Sequence, residues 1–322
     1  PLTLLELRDH HKFAVIEMGM NHAGEIAALV TMAEPEFVLV TNVGTAHIEN
    51  FGTVEKIAAA KEEIYNHALP QATRIYNLDN EYTAMMRARA PGDCRVMTFS
   101  THARDVDVSI KEKMVTLNYL DIQGVIGGEP GQARIHAFGR HQVANAMAAA
   151  TAAVAVGLDS PMIWKGLGKC KSTWGRGQFV ELMSGAKVLF DAYNANPDST
   201  KLALENFSRI RIPGKKYLVM GDMLELGVAS ARLHFEVGKE AAKLNPDAVL
   251  LFGQFAQDTA QGMKEAGFSK KLVVSDTYQE TLAVEFGAML ENQDIVLVKG
   301  SRGMKLERAI QAWHLQNFET KK

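Results

Sequence analysis

KVLFDAYNANPDS, residues 187–199, passes from a short apolar run (Lys187–Asp191) through a polar turn into a helix opened by Pro197. Proline suits the first helical turn, where its missing N–H would have no intrahelical partner, so strand, turn and helix follow with almost no linker. The pattern repeats downstream. Strand-like runs recur at Tyr217–Gly221, Ala248–Phe252, Leu272–Ser275 and Asp294–Lys299, with helical stretches between them. Strands alternating with helices imply a mostly parallel sheet, and the C-terminal part is expected to form a Rossmann-like open sheet.

A Gly-rich string, SxWGRGQ (Ser172–Gln178), precedes this block and marks a joint between two domains, 1–174 and 175–322. Upstream the same alternation predicts a buried strand at Phe13–Met18, a helix at Ala23–Ala33 and a strand at Glu36–Asn42. The apolar spacing of Val54, Ile57, Ala58, Ile64 and Tyr65 predicts a helix over Thr53–Ala68, followed by a strand at Arg74–Leu78. From Arg95 to Phe138 helical periodicity disappears, and alternating residues predict an antiparallel β insert. Val143–Val156 is a predicted helix without internal Gly or Pro, and Gly157 stands at its end. The fold class is α/β: a central domain with a mostly parallel sheet plus an antiparallel β insert, then the Rossmann-like domain.

Composition removes several functions. The 322 residues carry 35 basic and 37 acidic groups, net −2, so no electrostatic case exists for nucleic acid or an anionic membrane surface. Cys94 and Cys170 lie far apart and form no metal-binding or disulfide pattern, which suits a reducing cytoplasm. No apolar run approaches the roughly 20 residues of a membrane span. No GxGxxG or GxxxxGK[ST] string occurs, and GLGKCKST (Gly166–Thr173) has the wrong spacing for a phosphate loop. The histidines form no HExxH, and the His47-Ile48-Glu49 triplet lacks the PCxxC of a zinc deaminase.

What remains is a set of polar residues at predicted strand ends. Glu17 closes FAVIEMG, at the sheet edge where open α/β folds bind ligands, and Asn21 and His22 follow at a helix start. His47 lies just past the second strand, where a neutral imidazole could ligate a divalent cation with Glu17 or serve as an ordinary loop histidine. Lys61, in EKIAAAKEEIY, either pairs with Glu62 or Glu63 at the surface or points inward toward such a metal. His141, Gln142 and Asn145 stand at the start of the long helix, where amides can meet a nucleotide. Asp191 could hydrogen-bond ribose hydroxyls, and Arg176 could reach a phosphate with its planar fork.

Taken in order, VIEMGMNHAGEI, TNVGTAHIENFG, AAAKEEIY, GRHQVANAMAA, DAYNANPDS, GDMLELG and VLVKGSR resemble the Mur ligase family of ATP-dependent amide-forming enzymes. The resemblance covers nearly the whole chain and implies a central ATPase-type domain. It also implies Mg²⁺ on Glu17, His47 and a carbamylated Lys61, since carbamylation turns a metal-repelling cation into an anionic oxygen ligand. Asn145 would contact adenine. Asp191, Tyr193, Asn194 and Asn196 would contact ribose and adenine, and Arg176 the γ-phosphate. Asp222, Glu225, Lys299, Ser301 and Arg302 would line the side of the incoming amine.

Within the family, GDMLELG and VKGSR suit the branch that joins D-Ala-D-Ala to UDP-MurNAc-tripeptide. The DNPR string of the diaminopimelate- or lysine-adding branch is absent, and a folylpolyglutamate synthetase-like activity fits the two strings less well. A non-catalytic nucleotide-binding fragment is the alternative outside enzymology. Two departures stand out. Gln142 replaces the family's usual Asn, which keeps the amide on a longer arm. The family's uridine-nucleotide domain and phosphate loop are expected upstream of Pro1, so this chain alone is expected to fold but not to turn over. A cytoplasmic monomer is expected.

Overall fold

The computed structural model describes residues 2–313. The outer limits of the two expected domains, Pro1 and Lys322, lie outside the described residues. The chain divides into two compact units. The first gathers residues up to Met114 with Asp121–Ile135 and Arg140–Lys169; the second gathers Val115–Leu120, His136–Gly139 and the residues from Cys170 onward.

The first unit is built on a six-stranded sheet in the order β1 (Phe37–Val40), β2 (Thr73–Asn77), β3 (Val96–Phe99), β4 (Val108–Val115), β5 (Leu120–Ile126), β6 (Glu129–Ile135). β1, β2 and β3 are parallel, with Phe37 opposite Thr73 and Arg74 opposite Val96. Helix α3 (Val54–Asn66) packs on β1 and carries α1 (Glu25–Ala33) and α2 (Ile48–Phe51) against it, and α4 (Glu81–Ala88) links β2 to β3. α3 begins where the Thr53 side chain accepts the Lys56 N–H at 3.3 Å, and α4 where Asn80 accepts the Thr83 N–H at 3.2 Å. β5 and β6 are joined by Gly127 and Gly128, at φ 57° and 85°; so short a link closes only an antiparallel pair. α5 (Gln142–Ala155) and α6 (Ser160–Leu167) complete the unit, and Gly157 takes φ 87° just past α5.

Two sequence expectations need correcting here. Phe13–Met18 forms no strand, and Phe13 and Val15 are 61% and 94% exposed. An apolar run becomes a strand only when its backbone groups find ladder partners, and β1 pairs only with β2 among the described residues. The stretch expected as a wholly antiparallel insert begins with β3, which pairs parallel to β2. The helix α4 between them makes an ordinary β-α-β crossover.

The second unit carries a six-stranded sheet in the order β11-β10-β9-β12-β8-β7. These are β7 (Gln178–Glu181), β8 (Lys187–Asp191), β9 (Lys216–Gly221), β10 (Ala248–Phe252), β11 (Lys271–Ser275) and β12 (Ile295–Lys299). All pair in parallel except β7, an antiparallel edge strand on β8 that the sequence reading missed. α7 (Pro197–Ser208), α8 (Ser230–Lys243) and α9 (Ala256–Glu265) pack in succession, while α10 (Glu280–Gly287) packs on α11 (Glu307–Ala312). β12 is buried along its whole length between β9 and β8. The chain enters β12 from the far side of the sheet, so the loops after β8, β9 and β12 share an edge where the winding reverses. Open sheets bind ligands at such a reversal.

Candidate functional site

In the first unit several polar side chains hold the backbone at the C-terminal end of β1. The loop that follows is clamped by two asparagines: Asn77 Nδ2 donates to Thr41 O at 2.9 Å, and Asn80 Nδ2 donates to Val43 O at 2.9 Å while its Oδ1 accepts the Val43 N–H at 3.3 Å. Tyr65 inserts its hydroxyl at the strand end, accepting the Val40 N–H at 2.9 Å and donating to Ile75 O at 2.7 Å. Burial holds that phenol in its neutral form, with its pKa pushed up.

Lys61 lies one turn before Tyr65 on α3 and points to the same place, its Nζ donating to Asn42 O at 3.0 Å. Its amine is half-buried, and the loss of hydration moves its pKa down from 10.5. The acids beside it are engaged elsewhere. Glu62 accepts from Arg89 at 2.9 and 3.0 Å, and Glu63 accepts the backbone N–H groups of Gly24 at 2.7 Å and Ala27 at 3.1 Å, capping α1 from outside. Glu25 folds back on the preceding loop, accepting the Asn21 N–H at 2.6 Å and the His22 N–H at 3.2 Å. These backbone bonds lower the Glu25 pKa. Asn21 and His22 are exposed, as is Glu17 on its irregular segment. His47 caps α2 with a left-handed backbone, φ 65°.

Among the described residues no three His, Cys, Asp or Glu side chains gather as metal ligands. At the start of α5, His141 Nε2 and Gln142 Nε2 stand 3.1 Å apart, and Asn145 Nδ2 donates to Gln142 Oε1 at 3.1 Å. The longer amide at position 142 thus stands within hydrogen-bond reach of both His141 and Asn145.

In the second unit the loops after β8, β9 and β12 meet. Lys299 lies 3.1 Å from Asp191 Oδ2, and Nζ also donates to the carbonyls of Asp191 at 3.2 Å and Asn194 at 2.7 Å. Arg176 stacks its guanidinium over the Tyr193 ring at 4.2 Å, and the Tyr193 N–H donates to Gly175 O at 2.9 Å. Gly175 sits at φ 69°, and a Cβ there would stand 3.1 Å from the Tyr193 nitrogen. Asn194 accepts the Ala195 N–H at 2.8 Å. Asn196 caps α7, accepting the Ser199 N–H at 2.8 Å, while Ser199 Oγ accepts the Asn196 N–H at 3.0 Å. Its side-chain oxygen is therefore a helix cap first.

Three residues expected to meet the incoming amine are turned inward. Lys299 is 2% exposed, Ser301 3% and Asp222 4%, so none presents its polar group to solvent. Asp222 shapes a turn instead, accepting the Gln254 N–H at 2.8 Å and the Phe255 N–H at 3.1 Å. Gly253, at φ 129°, leaves room for that carboxylate where any Cβ would collide with it. Beside it His234 Nε2 accepts the Met223 N–H at 2.8 Å and Nδ1 donates to Ser230 O at 2.7 Å, which fixes a neutral imidazole. Burial raises the Asp222 pKa and lowers that of His234. Glu225 is the exposed acid of this loop, held at φ 62°. Arg302 stacks over Trp174 at 4.6 Å and donates to Glu307 at 2.7 Å.

Asn77, Asn80, Tyr65 and Glu63 escaped the sequence reading as positioning groups. Asn77 falls inside the predicted strand and Asn80 just beyond it, and their partners stand 36 and 37 residues upstream.

Residues 1–153 match the Mur ligase middle domain and residues 175–302 the glutamate ligase domain of Mur ligases. Over 316 residues the chain is 33% identical to the UDP-N-acetylmuramoyl-tripeptide--D-alanyl-D-alanine ligase of Escherichia coli (strain K12), covering 97% of this chain and 67% of that protein. A crystal structure of MurF from Acinetobacter baumannii superposes with a TM-score of 0.84 at 31% identity, over 96% of this chain and 66% of that one. MurF ligase from Thermotoga maritima, solved in complex with ADP, gives 0.76 at 27% identity over 92% and 65%. The chain thus spans about two thirds of the length of these relatives. Two matched domains in family order, with 33% identity along 97% of the chain to a member, establish that this chain belongs to the Mur ligase family.

Proposed function

We propose that this chain is the nucleotide- and amine-handling part of an ATP-dependent ligase that joins D-Ala-D-Ala to UDP-MurNAc-tripeptide. The likeness to enzymes of that name, at 33% identity along 97% of the chain, is the observation that carries the reading. No helix among the described residues is long and apolar enough to cross a membrane. A monomer in the reducing cytoplasm suits the reading, and Cys94 and Cys170 form no disulfide.

The reaction has two steps. A carboxylate oxygen of the tripeptide attacks the γ-phosphorus of ATP, the bond to ADP breaks, and an acyl phosphate forms. The dipeptide amine then attacks the acyl carbon, phosphate leaves with the bonding pair, and the nitrogen gives up its proton. Both steps crowd anions together, so fixed cations and aimed dipoles do most of the work.

In the first unit, Asn145, oriented by Gln142 and with His141 beside it, would contact adenine. Glu17, His47 and carbamylated Lys61 would hold a Mg²⁺. Bound there, the ion would screen charge between the γ-phosphate and the carboxylate. Asn21 and His22 lie on the same loop as Glu17, on the side of the carboxylate substrate.

In the second unit, Lys299 fixes Asp191 through Oδ2 and leaves Oδ1 for the ribose hydroxyls. Tyr193 orients the planar Arg176 guanidinium by stacking, for the γ-phosphate, and the backbone of Asn194 and Asn196 shapes the adenosine side. Glu225 would take the dipeptide ammonium and Arg302 its carboxylate. Asp222, Lys299 and Ser301 support this surface from behind. No GxxxxGK[ST] string lies within the 322 residues, so the chain alone is proposed to bind nucleotide weakly and to turn over poorly.

The test is phosphate release from Mg-ATP by the full-length protein, with UDP-MurNAc-tripeptide and D-Ala-D-Ala supplied together and singly. Release that needs both supports the reading. Release unchanged by omitting the dipeptide, or none at all, defeats it.

A further inference from the structure

The loop after β12 ties together the loops after β8 and β9. Lys299 Nζ has three acceptors, all on the β8 side: Asp191 Oδ2 at 3.1 Å, Asp191 O at 3.2 Å and Asn194 O at 2.7 Å. An ammonium has three hydrogens, so this buried group is fully committed. Ser301 reaches both sides. Its Oγ donates to Ala195 O at 3.2 Å, on the β8 loop, and accepts the Leu224 N–H at 2.9 Å, on the β9 loop. Its own N–H donates to Asp222 O at 3.0 Å. Gly300 between them lies against the end of β9, where a Cβ would stand 3.3 Å from the Gly221 backbone.

We infer that Ser301 is a positioning residue that couples the nucleotide loop (191–196) to the dipeptide loop (222–226), while Lys299 holds the nucleotide loop in place. The inference rests on the proposed assignment of those loops to the two ligands. The Ser301 hydroxyl donates to one loop while accepting from the other, which makes it the group the two loops share. At 3% exposure, water has no room to replace either partner. Parting the loops therefore strands a buried donor or acceptor. A nucleotide that orders 191–196 fixes Ala195 O, which fixes the Ser301 hydroxyl and its acceptor lone pair for Leu224. The second ligand then has less left to order, and by linkage the effect runs equally in the other direction.

The test uses the full-length protein with Ser301→Ala and Ser301→Cys, the second keeping shape and a weak donor if the first folds poorly. Hydrogen exchange needs no ligand. Ser301→Ala is expected to raise exchange on the order of tenfold or more at Leu224 and, together with it, across 193–196, leaving β10 and β11 unchanged. A rise confined to the Leu224 amide overturns the inference. The second readout is D-Ala-D-Ala affinity with and without Mg-ADP. Native protein is expected to bind the dipeptide on the order of tenfold more tightly with nucleotide. That factor should fall toward one in Ser301→Ala and lie between in Ser301→Cys. No coupling in the native protein, or equal coupling in native and Ser301→Ala, also overturns it. Failure of the native protein to bind either ligand would defeat the functional assignment, and exchange alone would then decide the structural tie.

Discussion

Lys299→Met replaces a buried ammonium with an apolar chain of similar length, and its cost follows from the partners left behind. Asp191 keeps its charge, with its side chain 26% exposed against 2% for Lys299. The carbonyls of Asp191 and Asn194 lose a donor at 3.2 and 2.7 Å. Removing one partner of a buried pair costs about 3–5 kcal/mol when the survivor is sealed from water. Asp191 is partly wet, so the expected loss is about 3 kcal/mol. In a unit of this size that lowers the melting temperature by about 6–12 °C. The assay is thermal and urea unfolding of native protein, Lys299→Met, Asp191→Asn and the double variant. The double variant should recover about 1 kcal/mol or more relative to Lys299→Met, because it leaves no orphaned charge. A loss below about 1 kcal/mol for Lys299→Met, or a double variant as unstable as the sum of the singles, would refute the reasoning.

Tyr65→Phe strands the Val40 N–H and Ile75 O in the first unit, an expected loss of about 2–4 kcal/mol by urea unfolding. Lys61→Met should abolish most turnover of the full-length protein while raising stability at neutral pH, because it removes a half-buried cation. The native protein should gain stability relative to that variant as pH rises from the depressed folded pKa of Lys61 toward 10.5, since the unfolded chain holds the extra proton there. Paired unfolding curves at neutral and alkaline pH check the sign. Arg302→Ala should raise the KM for D-Ala-D-Ala at least tenfold and leave the KM for ATP within about twofold, as expected when a charge-assisted carboxylate contact is lost; steady-state kinetics with each substrate varied decides it.

Local chemistry made much of the fold readable. Lys187–Asp191 is a strand with the bounds its apolar run predicts, and Asn196, Pro197 and Ser199 start α7 by capping rules that need no knowledge of the rest of the chain. Phe13–Met18 has equally apolar composition but no ladder partner, and pairing is a property of the sheet rather than of the run. The strings GDMLELG and VLVKGSR marked two loops at one sheet edge but not which way their side chains face. Lysine is almost never fully buried unless paired, and the partner that lets Lys299 turn inward stands 108 residues away. Asp222 is hidden from a local reading in the same way, since its donors at Gln254 and Phe255 are 32 and 33 residues downstream. Lys61 was readable as a candidate, yet the choice between surface and interior depended on Arg89 and on the start of α1 drawing Glu62 and Glu63 away.

The proposed amide formation on a dipeptide at the expense of ATP is read out by mass spectrometry of the nucleotide-linked product. Full-length protein, Mg-ATP, UDP-MurNAc-tripeptide and an equimolar mixture of D-Ala-D-Ala, meso-diaminopimelate and lysine are incubated together. One new species is expected, the tripeptide precursor extended by D-Ala-D-Ala, formed with one ADP and one phosphate per amide bond. A product extended by diaminopimelate or lysine, or ATP consumed with no extended precursor, would contradict it.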